Sequence, residues 1–206
     1  MGPPFAFPSG PPDVPAATAV ALLLLGWVAG SLPTALAVGR SVGIDVLRGG
    51  EGNPGSANVW KLAGPGPGLL VLVLDMAKAV VPGIVGWAVA GYWGAVFAAL
   101  GAVVGAVRPI VPGLRGGRGV AAAAGAGLVI QPVAGIVGIV VAVVTAVATR
   151  RPATATAVGF AAYPIAWAAL GVRSLETLVP MAGAGLIALV AVARWLWTRG
   201  RGPAGP

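Results

Sequence analysis

Two stretches of this chain combine residue types that can hold a phosphate. Gly49 to Gly64 reads GGEGNPGSANVWKLAG, and Arg115 to Val120 reads RGGRGV. Glycine has no Cβ, so successive backbone N–H groups can turn toward one point and hold an anion. In the first stretch Gly50, Gly52 and Gly55 supply such backbone, Asn53 and Asn58 supply side-chain amides, and Arg48 and Lys61 supply charge. In the second, Gly116, Gly117 and Gly119 are interleaved with Arg115 and Arg118. Either stretch alone could be a plain connector between apolar segments, because lone glycine patterns are weak signals. Two of them in one small apolar chain argue for a shared role. A third feature is Asp75 with Lys78, three residues apart inside an apolar segment and therefore on one helical face. Ionisable groups there are costly and mark functional candidates; the plain alternative is an internal ion pair that locks helices together.

The elements that must position these residues are apolar helices. The chain has 206 residues, 58% of them hydrophobic and 9% charged. No soluble domain of this size can bury so much apolar side chain without exposing large patches. The expected fold is an all-α polytopic membrane protein of about seven transmembrane segments, some short or reentrant. Residues 1–13 read as a Pro- and Gly-rich disordered tail, 14–198 as one membrane-embedded domain, and 199–206 as a basic tail. No positive charge precedes the first segment, which favours an uncleaved anchor over a signal peptide. The segments fall at about 14–38, 68–90, 92–107, 119–131, 133–148, 153–171 and 178–196. The fourth, about a dozen residues, is short of the roughly 20 that cross upright, so it is a half-span or part of a reentrant hairpin. Its N-terminus follows the second glycine stretch and would offer a positive dipole end to an anion.

Charge sets the expected orientation. With the first glycine stretch inside, alternation puts every basic residue except Lys78 and Arg173 on the inner side, which gives N-terminus out and C-terminus in. Both glycine stretches then face the cytoplasm. The formal net charge of +8 fits topology and attraction to phosphorylated ligands or anionic lipid better than nucleic acid, since the cations sit at segment ends. With no His, no Cys and five acidic residues in all, neither a metal nor another cofactor is expected.

Four motifs in order, GSLP at Gly30–Pro33, GEGNPGSANVWKLAG at Gly50–Gly64, LDMAKAVVP at Leu74–Pro82 and PGLRGGRGV at Pro112–Val120, resemble the PlsY family. These are bacterial membrane acyltransferases that move an acyl group from acyl-phosphate to glycerol 3-phosphate. The resemblance covers roughly residues 20–125 by motif and the remainder by hydropathy. It implies a bacterial inner-membrane enzyme of phospholipid synthesis, with acyl-phosphate, glycerol 3-phosphate and membrane lipid as partners and lysophosphatidic acid as product. It implies catalytic roles for positions 51, 61 and 118, here Glu51, Lys61 and Arg118. Gly50, Gly52, Asn53, Gly55, Asn58, Arg115, Gly116, Gly117, Gly119, Asp75 and Lys78 are the expected substrate-binding residues. The oligomeric state is open.

The departures from the family pattern are chemical. Glu51 replaces a serine, Lys61 an arginine, and Arg115 and Arg118 two lysines. Ala106 replaces a histidine, Ala153–Thr156 replaces a Ser-Leu-Ala-Ser run, and of a C-terminal Arg-His and Glu-Asn set only Arg194 remains, beside Trp195, Trp197 and Thr198. A carboxylate at position 51 repels phosphates unless basic neighbours compensate; it could act as a general base or mark lost activity. Three readings therefore stand: an acyltransferase, a catalytically altered phosphate- or lipid-binding protein, and a small transporter using Asp75 and Lys78.

Overall fold

The computed structural model describes residues 13–149 and 151–169. These form seven helices: α1 (Ala16–Gly30), α2 (Thr34–Ser41), α3 (Ser56–Ala63), α4 (Pro65–Val107), α5 (Val120–Ile130), α6 (Pro132–Thr149) and α7 (Pro152–Ala169). There is no strand among the described residues. Ala16–Ser41, Pro65–Val107 and Pro132–Thr149 are long and apolar enough to cross a membrane. The segment expected at 178–196, both tails apart from Asp13, and Arg194, Trp195, Trp197 and Thr198 lie outside the described residues.

The first apolar segment, expected as continuous over 14–38, is split. Helix α1 stops at Gly30 and α2 starts at Thr34. Pro33 lacks an N–H and disfavours helical backbone at Leu32, so the helix cannot run through. The run 49–64, whose glycines could be a plain connector between apolar segments, contains α3. Gly64, at φ +86°, ends α3, and Pro65 occupies the first position of α4, where its missing N–H costs nothing.

Helix α4 is two limbs, matching the expected segments at 68–90 and 92–107. The chain reverses at Ala90 and Gly91; Gly91 has φ +59° and ψ −148°, backbone that is essentially confined to glycine. A Cβ on Gly86 would lie 2.2 Å from the Gly94 carbonyl oxygen, so the limbs return on each other at van der Waals contact.

Small residues set the other packing distances. On α1, a Cβ at Gly26 would stand 1.9 Å from the Ala98 oxygen, and one at Gly101 on α4 would stand 2.1 Å from the Leu23 oxygen. Spacings of four residues, Gly26 with Gly30 and Gly101 with Gly105, let the two backbones touch, as association of helices in lipid requires. Ala79, Ala99, Ala102, Val103, Ala122 and Ala126 bring both α4 limbs and α5 into one core. Ala35, Val38, Val46, Val59 and Val71 form a second core beneath the first polar loop. Helix α5, with 11 residues, rises about 16 Å and falls short of the hydrocarbon thickness, as its length in the sequence required. It packs on the first α4 limb, where Trp87 Nε1 donates to the Val129 oxygen at 3.3 Å. Helices α6 and α7 lie against each other through Gly138 and Gly159, and the outer face of α6 exposes Val140, Val143, Val144 and Val147.

Candidate active site

The first polar loop is held by its own polar side chains. Asp45 Oδ1 accepts the N–H groups of Leu47 and Arg48 at 3.0 and 3.2 Å. Asn58, on the first turn of α3, points inward and is 1% exposed. Its Oδ1 accepts the Glu51 N–H at 2.8 Å, and its Nδ2 donates to the Val46 and Gly49 carbonyls at 3.0 and 3.2 Å. The amide's hydrogen bonds therefore go to the loop backbone. Asn58, an expected substrate-binding residue, fixes the loop that presents Glu51 and is not on the lining of the cavity described below. Gly50 and Gly52, at φ +59° and +60°, turn the chain around this amide and likewise do not line the cavity described below.

The second loop is anchored from two sides. The Gly117 N–H donates to the Ala106 oxygen at 2.9 Å, and Gly119, left-handed at φ +73°, precedes α5. Ser31, at the end of α1, accepts the Ile110 N–H at 2.9 Å and donates to the Trp27 oxygen at 2.6 Å; Trp27 Nε1 donates to the Arg108 oxygen at 2.7 Å. The residue types of the GSLP run gave no sign of a tie to a loop some 80 positions away.

The two loops meet at Glu51. One carboxylate oxygen pairs with Lys61 Nζ, and the other with Arg118 Nη2 at 2.8 Å. The hydrogen-bonded Lys61 ammonium and the charge of Arg118 hold the Glu51 carboxyl below the usual carboxylate range, against the opposing effect of partial burial. Both oxygens of the carboxylate are thus engaged by cations in this arrangement.

A second polar cluster lies deeper. Asp75 pairs with Lys78 Nζ at 2.7 Å, and Thr34 Oγ1 donates to the same Asp75 oxygen. The Asp75 and Lys78 side chains are 15% and 9% exposed, so the ion pair is largely removed from solvent. Both readings of the pair hold at once: it is an internal ion pair, and it lines a cavity. Thr34 was not a candidate in the sequence, because the break in α1 that brings it against α4 was not expected.

Both clusters open into one cavity of about 630 Å³, within the usual range for small-ligand sites. Glu51, Asn53, Gly55, Lys61, Asp75, Lys78, Arg115, Gly116, Gly117, Arg118 and Gly119 all line it. Leu32, Leu36, Leu72, Val120 and Phe160 form an apolar wall, and Thr154 and Thr156 add hydroxyls from α7. Ala106 lies on the lining as well.

A profile described as "Glycerol-3-phosphate acyltransferase" matches residues 20–199. The chain belongs to this family. A glycerol-3-phosphate acyltransferase of Rubrobacter xylanophilus is 41% identical over 149 residues, covering 72% of this chain and 75% of its own. One of Anaeromyxobacter dehalogenans is 39% identical over 173 residues, covering 75% and 86%. Among solved structures, PlsY, an integral membrane glycerol 3-phosphate acyltransferase, superposes in its glycerol 3-phosphate form with a TM-score of 0.78 at 24% identity, over 89% of this chain and 91% of that one. Its lysophosphatidic acid form gives 0.75 over 86% and 87%. The fold is thus that of an integral membrane protein, and the family resemblance carried by the four motifs extends well past residue 125.

Proposed function

We propose that the protein is a glycerol-3-phosphate acyltransferase that uses acyl-phosphate as donor and makes lysophosphatidic acid. The observation that carries this reading is the meeting of two basic glycine loops over one cavity with an apolar wall. The reaction needs an acceptor hydroxyl held against an acyl carbonyl, a stabilised oxyanion and a neutralised leaving group. Lys61 and Arg118 supply charge for phosphate, Arg115 and the backbone of Gly116, Gly117 and Gly119 extend the cradle, and the leucines and Phe160 suit an acyl chain. The acceptor oxygen bonds to the acyl carbon, the bond from that carbon to the phosphate oxygen breaks, and the departing phosphate takes the hydroxyl proton. No imidazole is required, which suits a chain without His. Asn53, Gly55, Asp75 and Lys78 are assigned to the walls that orient the acceptor.

Seven segments, N-terminus out, and a cavity open to the cytoplasm of a bacterial cell membrane complete the proposal, on the charge asymmetry of the sequence. The chain has no Cys, so single cysteines at Ser41 and Arg173 give a clean labelling test of sidedness with an impermeant maleimide. Activity is tested with purified protein in lipid. Acyl-phosphate with glycerol 3-phosphate is expected to release phosphate and form lysophosphatidic acid, and acyl thioesters are expected to be poor donors. Turnover no higher than that of Arg118→Ala would count against the assignment. The reading as a phosphate- or lipid-binding protein without turnover draws on one observation, the engagement of both cations by Glu51. The transporter reading loses its motive, since Asp75 and Lys78 neutralise each other in the wall of the same cavity.

A further inference from the structure

We propose that Glu51 is a tethered occupant of the phosphate site: its carboxylate takes the two cations that a phosphate would use, and phosphate binds by displacing it. This rests on the reading of the cavity as a phosphate site. Glu51 and Arg118 come from loops 67 residues apart, and Lys61 comes from α3. The two oxygens of one side chain join all three. A carboxylate and a phosphate share the feature that matters here, two or more oxygens carrying negative charge that can reach separate donors. Glu51 therefore satisfies the site as a monoanion.

Its hold is weak enough to be exchanged. The side chains of Glu51, Lys61 and Arg118 are 36%, 54% and 30% exposed. Ion pairs at such exposure contribute little net, because water competes for both partners. A phosphate dianion with more acceptor oxygens gains more from the same cations than a carboxylate does. On displacement the Glu51 side chain turns to water, while Asn58 continues to hold its backbone N–H. The Asp75–Lys78 pair has no such exit.

The consequence is selectivity. If Glu51 is engaged about nine-tenths of the time, the apparent dissociation constant for phosphate is about tenfold above the intrinsic one. Monoanions gain little over the resident carboxylate and are excluded.

The full-length protein in lipid nanodiscs is titrated calorimetrically with inorganic phosphate at pH 8, as wild type, Glu51→Gln, Glu51→Ser and Arg118→Ala. Both Glu51 variants are expected to bind about tenfold more tightly than wild type, and Arg118→Ala to lose binding. Glu51 variants that bind no more tightly than wild type, with Arg118→Ala still impaired, overturn this inference and leave the phosphate site standing. Arg118→Ala without effect, or no binding in any form, overturns the site and the inference together. A second readout needs no variant to fold. The chain has two glutamates, Glu51 and Glu176, so the protein labelled with ¹³C-carboxyl glutamate has few bands to assign. Phosphate is expected to shift a labelled carboxylate band in the infrared difference spectrum; an unshifted spectrum at saturating phosphate overturns the inference.

Discussion

The cavity holds two clusters of the same chemical groups in opposite surroundings. At its mouth Glu51 bridges Lys61 and Arg118, joins two loops, and is about one-third exposed. Deeper, Asp75 meets Lys78 on one helix and takes a hydroxyl from Thr34, with both charges at or below 15% exposure. Coulomb attraction is stronger where water is scarce, but so is the cost of leaving either partner alone. The outer cluster can therefore exchange partners, while the inner one keeps those it has. In a site that must take up and release a charged ligand, the first suits recognition and the second suits a fixed wall.

The comparison breaks most visibly at Asp75. Replacing it with Ala strands the Lys78 ammonium in an apolar segment, and a loss of about 3–5 kcal/mol in stability is expected. Unfolding in mixed detergent would measure it. Asp75→Ala combined with Lys78→Met should recover much of that loss, because the uncompensated charge is gone. A single variant as stable as wild type would mean that water reaches Lys78 and the two clusters are alike. At the mouth the corresponding change acts on function instead. Arg118→Ala should lower kcat/KM by about 10²–10³, the usual scale for a donor to a developing charge, with stability within about 1 kcal/mol of wild type.

How far the sequence revealed this division depended on what interrupts an apolar background. The glycine and arginine runs did so plainly, and both loops, their meeting and the short α5 followed from them. The reversal at Ala90–Gly91 fell where a break between segments was expected, since only glycine fits that backbone. Helix α3 was hidden because Gly, Asn and Ser at its start read as loop, although ANVWKLA continues as about two ordinary helical turns. The inward aim of Asn58 was also hidden: residue type reports capacity for hydrogen bonds, not direction. Thr34 and Ser31 were missed or under-read because their partners lie 41 and 79 positions away, across a helix break that only packing fixes. The neutralisation of Glu51 was legible only as a condition, that basic neighbours must compensate it.

The two neutral side chains that steady the clusters sharpen the contrast at smaller scale. Asn58→Ala removes three hydrogen bonds and takes the partner from the Glu51 N–H and the Val46 carbonyl, while the Gly49 carbonyl keeps the Gly52 N–H, for a cost of about 1–3 kcal/mol. It should also lower activity, because the loop loses its fixed form while Lys61 and Arg118 remain. Thr34→Val should cost about 0.5–1.5 kcal/mol and leave the Asp75–Lys78 pair in place. A larger effect at Thr34 than at Asn58, measured on the same unfolding scale, would reverse the assignment of which cluster depends on its neutral support.

The smallest expected effect tests the outer cluster by pH. The carboxyl of Glu51 lies below its ordinary value of 4.5, chiefly through the Lys61 hydrogen bond. A lowered folded value means that the unfolded chain binds a proton first as pH falls. The stabilisation by Glu51 is thus complete above the ordinary glutamate range and is lost as pH drops through the lower folded value. Wild type and Glu51→Gln should therefore differ in stability at pH 6 to 7 and converge in strong acid. The difference should be small, and smaller still in high salt, because the pairs are solvent-exposed. If the two proteins keep a constant gap from pH 7 into acid, the bridge draws its strength from packing rather than charge. Glu51 would then be held to its partners as firmly as Asp75 is, and the mouth of the cavity would no longer be the exchangeable half.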